Sequence, residues 1–458
     1  MKSDKKTMYV CSACGKEYQK WMGQCTFCGA WNTLEETVVS TAKTAAKSAG
    51  IKTVTAIKPT AINKIEDESE VRFSTGMKEL DRVLGGGIVK GSLILLSGEP
   101  GAGKSTLLIQ ICEFLAKKLS VLYVSGEESA KQIKLRASRL GVFDPNIQVV
   151  SETDMESICG YIETEKPGLV VIDSIQTMSL EGLTSSPGSI TQVRECTNML
   201  LQTGKSLDIP ILVVGHVNKD GNIAGPKVLE HIVDAVLYFE GDKQFSYRIL
   251  RSAKNRYGST NEIGVFDMTG EGLQEIPNPS MMFLDGRPEQ VSGTCVTCNI
   301  EGSRPILSEI QALVTKSNFA APRRVSTGVD YNRANLLIAV MEKRGGYFFG
   351  NLDVYINVVG GIRLDDTGAD LAVITAMYSS IKDTPIPDKT AVVGEVGLTG
   401  EVRAVSQLAA RVAECKRLGF DKCVVPAQNL RHNQVNIDGI EVIGVKNIGE
   451  AFKAVFGK

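Results

Sequence analysis

The stretch Gly98-Glu99-Pro100-Gly101-Ala102-Gly103-Lys104-Ser105 matches G-x-x-x-x-G-K-[ST] in full. Its chemistry is the holding of a polyphosphate: glycines let the backbone wrap the oxygens, and the first N–H groups of a following helix point at them. An apolar strand pattern (Leu93–Leu96) precedes the loop and a helical pattern (Thr106–Leu115) follows, the setting this motif requires. Lys104 is expected on the β- and γ-phosphates and Ser105 on Mg2+, with Thr106 closing the nucleotide-binding run. Asp173 ends the apolar run Leu169-Val-Val-Ile-Asp173. A carboxylate at the C-terminal end of a buried strand is where a Mg2+ shell needs charge. Glu127 and Glu128 follow the run Val121-Leu-Tyr-Val-Ser-Gly. One of them, Glu127 by preference, is expected to orient the attacking water. The competing reading makes both solvated acids that cap the next helix. His216 ends the run Ile211-Leu-Val-Val-Gly-His216 and reads either as a γ-phosphate sensor or as a hydrogen-bonded strand end.

A second chemistry lies near the start. Cys11-Ser-Ala-Cys14 and Cys25-Thr-Phe-Cys28 are two CxxC pairs, each followed by glycine (Gly15, Gly29). Two such knuckles close a tetrahedral four-thiolate site, so Zn2+ is expected on Cys11, Cys14, Cys25 and Cys28. A segment this small makes no core without a staple, so the metal supplies the folding energy. Trp21 and Trp31 are expected to pack on the knuckles rather than stack on a base. A third pair, Cys295-Val-Thr-Cys298, has no partner pair nearby and reads as two small strand residues.

The elements that must position these groups follow from pattern. The 458 residues leave room for two or three domains. Residues 1–35 form the zinc module. Residues 36–70, rich in Thr, Ala and Lys and without aromatics until Phe73, read as a linker, with a frayed helix as the alternative. Residues 71–280 alternate short Val/Ile/Leu strands with amphipathic helices, which indicates a parallel sheet covered on both faces. Residues 285–458 restart with mixed α/β character. Formal net charge is −1, so no global field draws the molecule to nucleic acid or membrane, and any DNA contact must be local or repeated around a ring. The polar start carries no apolar leader, no apolar run is long enough to span a bilayer, and a reducing cytoplasm is the expected compartment.

In this order the motifs resemble the RecA/DnaB branch of ATPases. Lys254-Asn-Arg256-Tyr-Gly258 resembles the KNRFG motif of the bacterial RadA (Sms) DNA-repair family, with Tyr257 for Phe, and the lead-in Phe73-Ser-Thr-Gly-Met-Lys-Glu-Leu-Asp81-Arg-Val-Leu-Gly-Gly-Gly87 is similar to the same branch. The resemblance implies an α/β fold: a RecA-like P-loop ATPase core with a parallel sheet, an N-terminal four-cysteine zinc module and a C-terminal Lon-protease-like α/β domain. It further implies a DNA-dependent ATPase and helicase-type motor using ATP and Mg2+, a homo-oligomer in a hexameric ring. Such a motor acts with RecA on single-stranded DNA and branched recombination intermediates and promotes their branch migration. ATP would lie between subunits, with Lys254 and Arg256 reaching the neighbour's γ-phosphate; without the family, this segment reads as a solvated charged turn after a strand at Tyr247–Leu250. DNA would meet loops 176–193 and 218–228, the second carrying Lys219 and Lys227; both are rich in Gly, Ser or Pro and read as flexible.

Residues 285–458 resemble the proteolytic domain of Lon, most closely at Tyr355–Gly361 and Gly394–Val405. Ala369 falls nearest the nucleophile position, and Ser406-Gln-Leu-Ala409-Ala-Arg411 offers no lysine base, so an assembly platform or DNA-binding surface is expected instead; Lys316, Arg323, Arg324 and Arg344 give its first part a basic character. A signalling ATPase without DNA and an ATP-dependent peptidase are the alternatives from other classes. Chelation is expected to unfold residues 1–35 and leave the ATPase core standing, a difference that limited proteolysis followed by mass spectrometry reads directly.

Overall fold

The computed structural model describes residues 5–11, 16–27, 29–31, 33–40, 70–216, 226–241, 247–319, 321–432 and 438–457. Of the expected zinc ligands, Cys14 and Cys28 lie outside the described residues, as does most of the expected linker.

At the start, β1 (Lys5–Cys11) pairs antiparallel with β2 (Glu17–Tyr18) and with β3 (Leu34–Ser40). Strand β3 carries ordered pairing to Ser40, past the boundary expected at 35. A short ribbon of β4 (Arg72–Phe73) and β5 (Ile88–Val89) brackets helix α1 (Lys78–Leu84).

The ATPase core alternates strand and helix: β6 (Leu93–Gly98), α2 (Lys104–Ala116), β7 (Val121–Ser125), α3 (Ala130–Arg139), β8 (Ile147–Ser151), α4 (Met155–Glu165), β9 (Leu169–Asp173), α5 (Ile190–Leu207), β10 (Ile211–His216), α6 (Pro226–Leu229) and β11 (Ala235–Glu240). Strands β6, β7 and β9 are buried along their whole length, as their unbroken apolar sequences require of strands covered on both faces. In the order β11-β6-β10-β9-β7-β8 all neighbours run parallel.

The sheet does not stay parallel. β12 (Tyr247–Asn255) returns antiparallel along β11, and β13 (Ile263–Thr269) and β14 (Gly272–Glu275) form an antiparallel hairpin that completes nine strands. Residues 241–246 are too few for the crossover of a dozen or more residues that a parallel return needs. β12 is also longer than the strand expected at 247–250: Lys254 and Asn255 belong to it, opposite Val236 and Ala235, so only Arg256–Gly258 forms the turn.

The described residues of 261–265 and 276–457 make a second compact unit. It contains α7 (Pro279–Leu284), β15 (Thr294–Glu301), β16 (Arg304–Lys316), β17 (Arg324–Thr327), α8 (Tyr331–Lys343), β18 (Leu352–Val358), α9 (Asp370–Lys382), β19 (Thr390–Val392), the ribbon β20 (Glu395–Val396) and β21 (Val402–Arg403), α10 (Leu408–Arg417), β22 (Lys422–Pro426), α11 (Ala427–His432), β23 (Glu441–Val445) and α12 (Ile448–Phe456). Its seven-stranded mixed sheet runs β17-β18-β16-β15-β19-β22-β23. Helix α9 is buried over most of its length. Cys295 and Cys298 lie buried on β15, as two strand residues should. Among the described residues no helix is long and apolar enough to cross a membrane.

Candidate nucleotide site and metal module

The parallel register sets the site. Gly98, His216, Asp173 and Ser125 end neighbouring strands on one edge of the sheet, the C-terminal edge where open α/β sheets bind ligands. Gly98 sits at φ +155, and a Cβ there would lie 2.3 Å from the Phe239 carbonyl oxygen, so only glycine lets the chain leave β6 into the phosphate loop. Lys104 and Ser105 are the first residues of α2, two earlier than the helix expected from sequence. The buried Lys104 ammonium donates to the carbonyls of Gly98 (2.8 Å) and Glu99 (2.9 Å). Burial pushes its pKa down, while the carboxylates of Asp173 and Glu127 pull it up.

Asp173 is nearly buried and accepts a 2.6 Å hydrogen bond from the Tyr123 hydroxyl. Burial, with the Asp173 charge added, pushes the Tyr123 phenol well above its ordinary range, so it remains a donor. One Asp173 oxygen is thereby held, which orients the carboxylate on the strand edge.

The two glutamates part ways. Gly126 packs so closely that a Cβ would lie 2.0 Å from Thr177 Oγ1, and this approach brings Glu127 over the end of β9. The Ser174 hydroxyl donates to Glu127 Oε1, and His216 Nε2 lies 3.2 Å from the same oxygen, at ion-pair distance without hydrogen-bond alignment. Glu128 turns to Arg136 on α3 at 2.5 Å, while its backbone N–H donates to Ser125 Oγ. Glu127 therefore belongs to the cluster with Lys104 and Asp173, and Glu128 to a helix ion pair.

Lys254 and Arg256 lie at the other end. Asn255 is level with Ala235, and Ala235 with Ile94, four residues before Gly98. Lys254 is level with Val236 and hence Leu95, so at about 3.3 Å per residue Lys254 lies about 10 Å and Arg256 about 13 Å or more along the strands from the chain's own phosphate loop. Asp234, fully buried, organises this edge: its carboxylate accepts from Leu93 N (3.0 Å) at the start of β6, from Lys205 Nζ (3.0 Å) and from Arg256 (3.1 Å). Arg256 is 54% exposed beyond that contact. Lys254 donates instead to the carbonyls of Glu230 (2.6 Å) and Val233 (2.9 Å).

Sequence reasoning passed over Asp234 and Lys205. An acid between two apolar runs, Ile232-Val233 and Ala235–Leu237, was the available signal for a buried carboxylate seeking cations. It also missed Arg248, which donates from β12 to the Ala102 carbonyl (3.2 Å) in the phosphate loop; an arginine in a strand carries no such signal.

The expected flexible loop at 176–193 is pinned. The buried Gln192 amide accepts from Leu180 N (2.9 Å) and donates to Leu180 O (3.2 Å) and Ser185 O (2.9 Å), and Gln176 donates to His216 O (3.3 Å). Of the loop at 218–228, residues 218–225, Lys219 included, lie outside the described residues, and Lys227 is placed only within α6.

In the N-terminal module, Cys11 and Cys25 are both buried. Cys11 N donates to Lys16 O (3.0 Å), Cys25 N to Ala30 O (2.9 Å) and Gly29 N to Cys25 O (2.8 Å), the tight turns that aim thiolates inward. The donor set fits a soft or borderline metal. Trp21 and Trp31, expected to pack on the knuckles, are both more than half exposed.

In the second unit Ala369 lies buried at the start of α9. Arg411 is fully buried, paired with Asp366 (2.6 Å) and donating to Cys298 O (2.6 Å) and Ser406 O (2.9 Å). A structural ion pair thus occupies the region where a base was sought.

Phosphate loop, acidic strand end and parallel edge define a P-loop ATPase of the RecA-like class. Residues 59–222 match the AAA domain model, residues 9–36 the rubredoxin metal binding domain, and residues 326–457 the Lon protease (S16) C-terminal proteolytic domain. The chain is 51% identical over 456 residues to the DNA repair protein RadA of Bacillus subtilis, covering 99% of each chain. It is 48% identical over 453 residues to RadA of Listeria monocytogenes (99% of this chain, 98% of the relative) and 47% over 448 residues to RadA of Haemophilus influenzae (97% of each). It belongs to the RadA family of DNA repair proteins, with a RecA-like ATPase core, a metal-binding N-terminal module and a Lon-like domain. The ATPase family implies ATP hydrolysis with Mg2+.

Asp234→Ala leaves Leu93 N–H without its buried acceptor and two cations without their counter-charge. It is expected to lower stability by about 3 kcal/mol, read as a shifted urea midpoint.

Proposed function

We propose that this protein is a DNA-dependent ATPase and helicase-type translocase of the cytoplasm. In this reading it assembles as a hexameric ring, binds single-stranded DNA and drives branch migration of recombination intermediates alongside RecA. The domain division is 1–35, extended to Ser40 by β3, then a linker to 70, 71–280 and 285–458. Zn2+ is held by Cys11, Cys14, Cys25 and Cys28.

The observation that supports this reading is the separation of two half-sites on one sheet. Lys104, Asp173 and Glu127 gather at the C-terminal edge, while Arg256 projects from the opposite edge, too far to serve its own nucleotide. A cation placed so is suited to complete a neighbour's site in an assembly that closes on itself.

In that site residues 98–106 cradle the phosphates, and Lys104 exchanges its two carbonyl partners for phosphate oxygens. Ser105 and Asp173 would hold Mg2+, which would neutralise phosphate charge. Glu127 orients the attacking water and takes its proton, while His216 on the same carboxylate senses the outcome and begins the second DNA loop. Glu128, committed to Arg136, supports α3. Arg256 of the adjoining protomer stabilises charge on the γ-phosphate, and Lys254 fixes the turn through the Glu230 and Val233 carbonyls and adds to the field. The Lon-like domain serves as a non-proteolytic assembly platform, since Ala369 and the buried Arg411 supply neither nucleophile nor base.

ATP turnover with and without single-stranded DNA tests the reading: stimulation is expected, and equal rates would remove the DNA-dependent motor in favour of a signalling ATPase. Casein cleavage should be absent. Lys104→Ala should abolish turnover. Glu127→Gln should lower kcat by about 10²- to 10⁴-fold and Glu128→Gln far less. Mixing inactive Lys104→Ala and Arg256→Ala chains should restore part of the activity, since some interfaces then pair an intact Lys104 with an intact Arg256. Co-assembly without restoration would refute the shared site.

A further inference from the structure

The N-terminal module exposes its largest apolar side chains. Trp21 is 56% exposed, Trp31 70% and Phe27 71%. Small modules are short of apolar burial, so three aromatics turned to solvent run against the direction folding alone would take. The exposed rings are also arranged. An ideal Cβ at Gly23 would lie 3.8 Å from Trp31 Cζ3 and 3.9 Å from Trp21 Cη2, so the two indoles converge on a residue that offers only backbone between them. The bridge between Gln24 and Trp31 fixes the backbone that carries one ring, and the Gln24 amide donates to Gly29 O (2.8 Å). Among the described residues neither indole pairs with another ring.

Charge selects the occupant. Lys20 is the one charged residue from Tyr18 to Leu34, a span without a carboxylate. Lys16 stands 5.8 Å from the Phe27 ring centroid, and both lysines are exposed. Flat rings flanked by ammonium groups suit a chain of planar bases joined by phosphates. The core of a protein–protein patch is, by contrast, depleted in lysine.

We propose that Trp21, Trp31 and Phe27, with Lys16 and Lys20, form a base-stacking platform for single-stranded nucleic acid on the metal-binding module. Bases stack on the indoles, and the two lysines meet the phosphates between them. Recognition is by ring faces, so it is sequence-tolerant. The platform deepens the single-strand reading given above and is distinct from the loops at 176–193 and 218–228.

The chain has two tryptophans, both on this face, so its tryptophan emission reports on the platform alone. The full-length, metal-loaded protein is titrated with a short oligothymidylate in the absence of nucleotide. Saturable quenching is expected, with a log–log salt slope of about −1.4 for two phosphate contacts on a single strand. Trp21→Ala and Trp31→Ala should each weaken binding about tenfold, measured by oligonucleotide anisotropy, and Trp31→Phe less, because a ring remains. Metal content equal to that of the parent chain verifies that each variant keeps its fold. Lys104→Ala should leave the quenching intact. Emission unmoved by oligothymidylate while the same strand stimulates ATP turnover overturns the platform and spares the motor. Quenching without stimulation does the reverse, and silence in both assays removes both. Emission that responds to an added protein but not to oligothymidylate overturns the nucleic-acid assignment.

Discussion

The register of β12 on β11, and of β11 on β6, is the constraint on which the functional geometry depends. Because β12 runs antiparallel, it carries a cation near each end: Arg248 at the phosphate loop and, just past its last residue, Arg256 at the opposite edge. One strand therefore links the phosphate loop of its own chain to a turn at the opposite edge of the sheet. A slip of one residue would turn every β12 side chain to the other face and destroy both relations together.

Asp234 fastens this arrangement to the sheet. A fully buried carboxylate needs partners, and this one takes a backbone N–H from the base of the phosphate-loop strand and two cations from other elements. The first strand of the nucleotide fold and the protruding arginine thus share one anchor. Side chains on a half-exposed turn gain directional precision when their counter-charge is desolvated and immobile. Arg256 has such a counter-charge, which an arginine on a free turn would lack.

The second unit shows the same physics put to another use. Arg411 is buried, ion-paired with a carboxylate and hydrogen-bonded to two carbonyls, so removing its carboxylate would strand it. Such a pair fixes α10 against β15 and leaves no mobile base beside Ala369. A Lon-like scaffold here carries a buried ion pair at its core.

Local pattern carried much of this protein. Unbroken apolar runs marked the buried parallel strands, the glycine-rich loop marked the phosphate site, and paired cysteines marked the metal module, because each rests on contacts among residues near in sequence. The choice between Glu127 and Glu128 was not legible, since it turns on whether Ser174 and His216 or Arg136 lies within reach. The antiparallel return of β12, the anchoring by Asp234 and the pinning of Gln192 were hidden for the same reason: each depends on partners far along the chain. The outward face of Trp21 and Trp31 was misjudged because hydrophobicity predicts burial only when the fold provides a surface to bury against. Sequence by itself determined which groups this protein possesses and the elements that carry them; tertiary structure alone decided which groups meet, because strand register and packing, not order along the chain, set the distances at which charges and hydrogen bonds act.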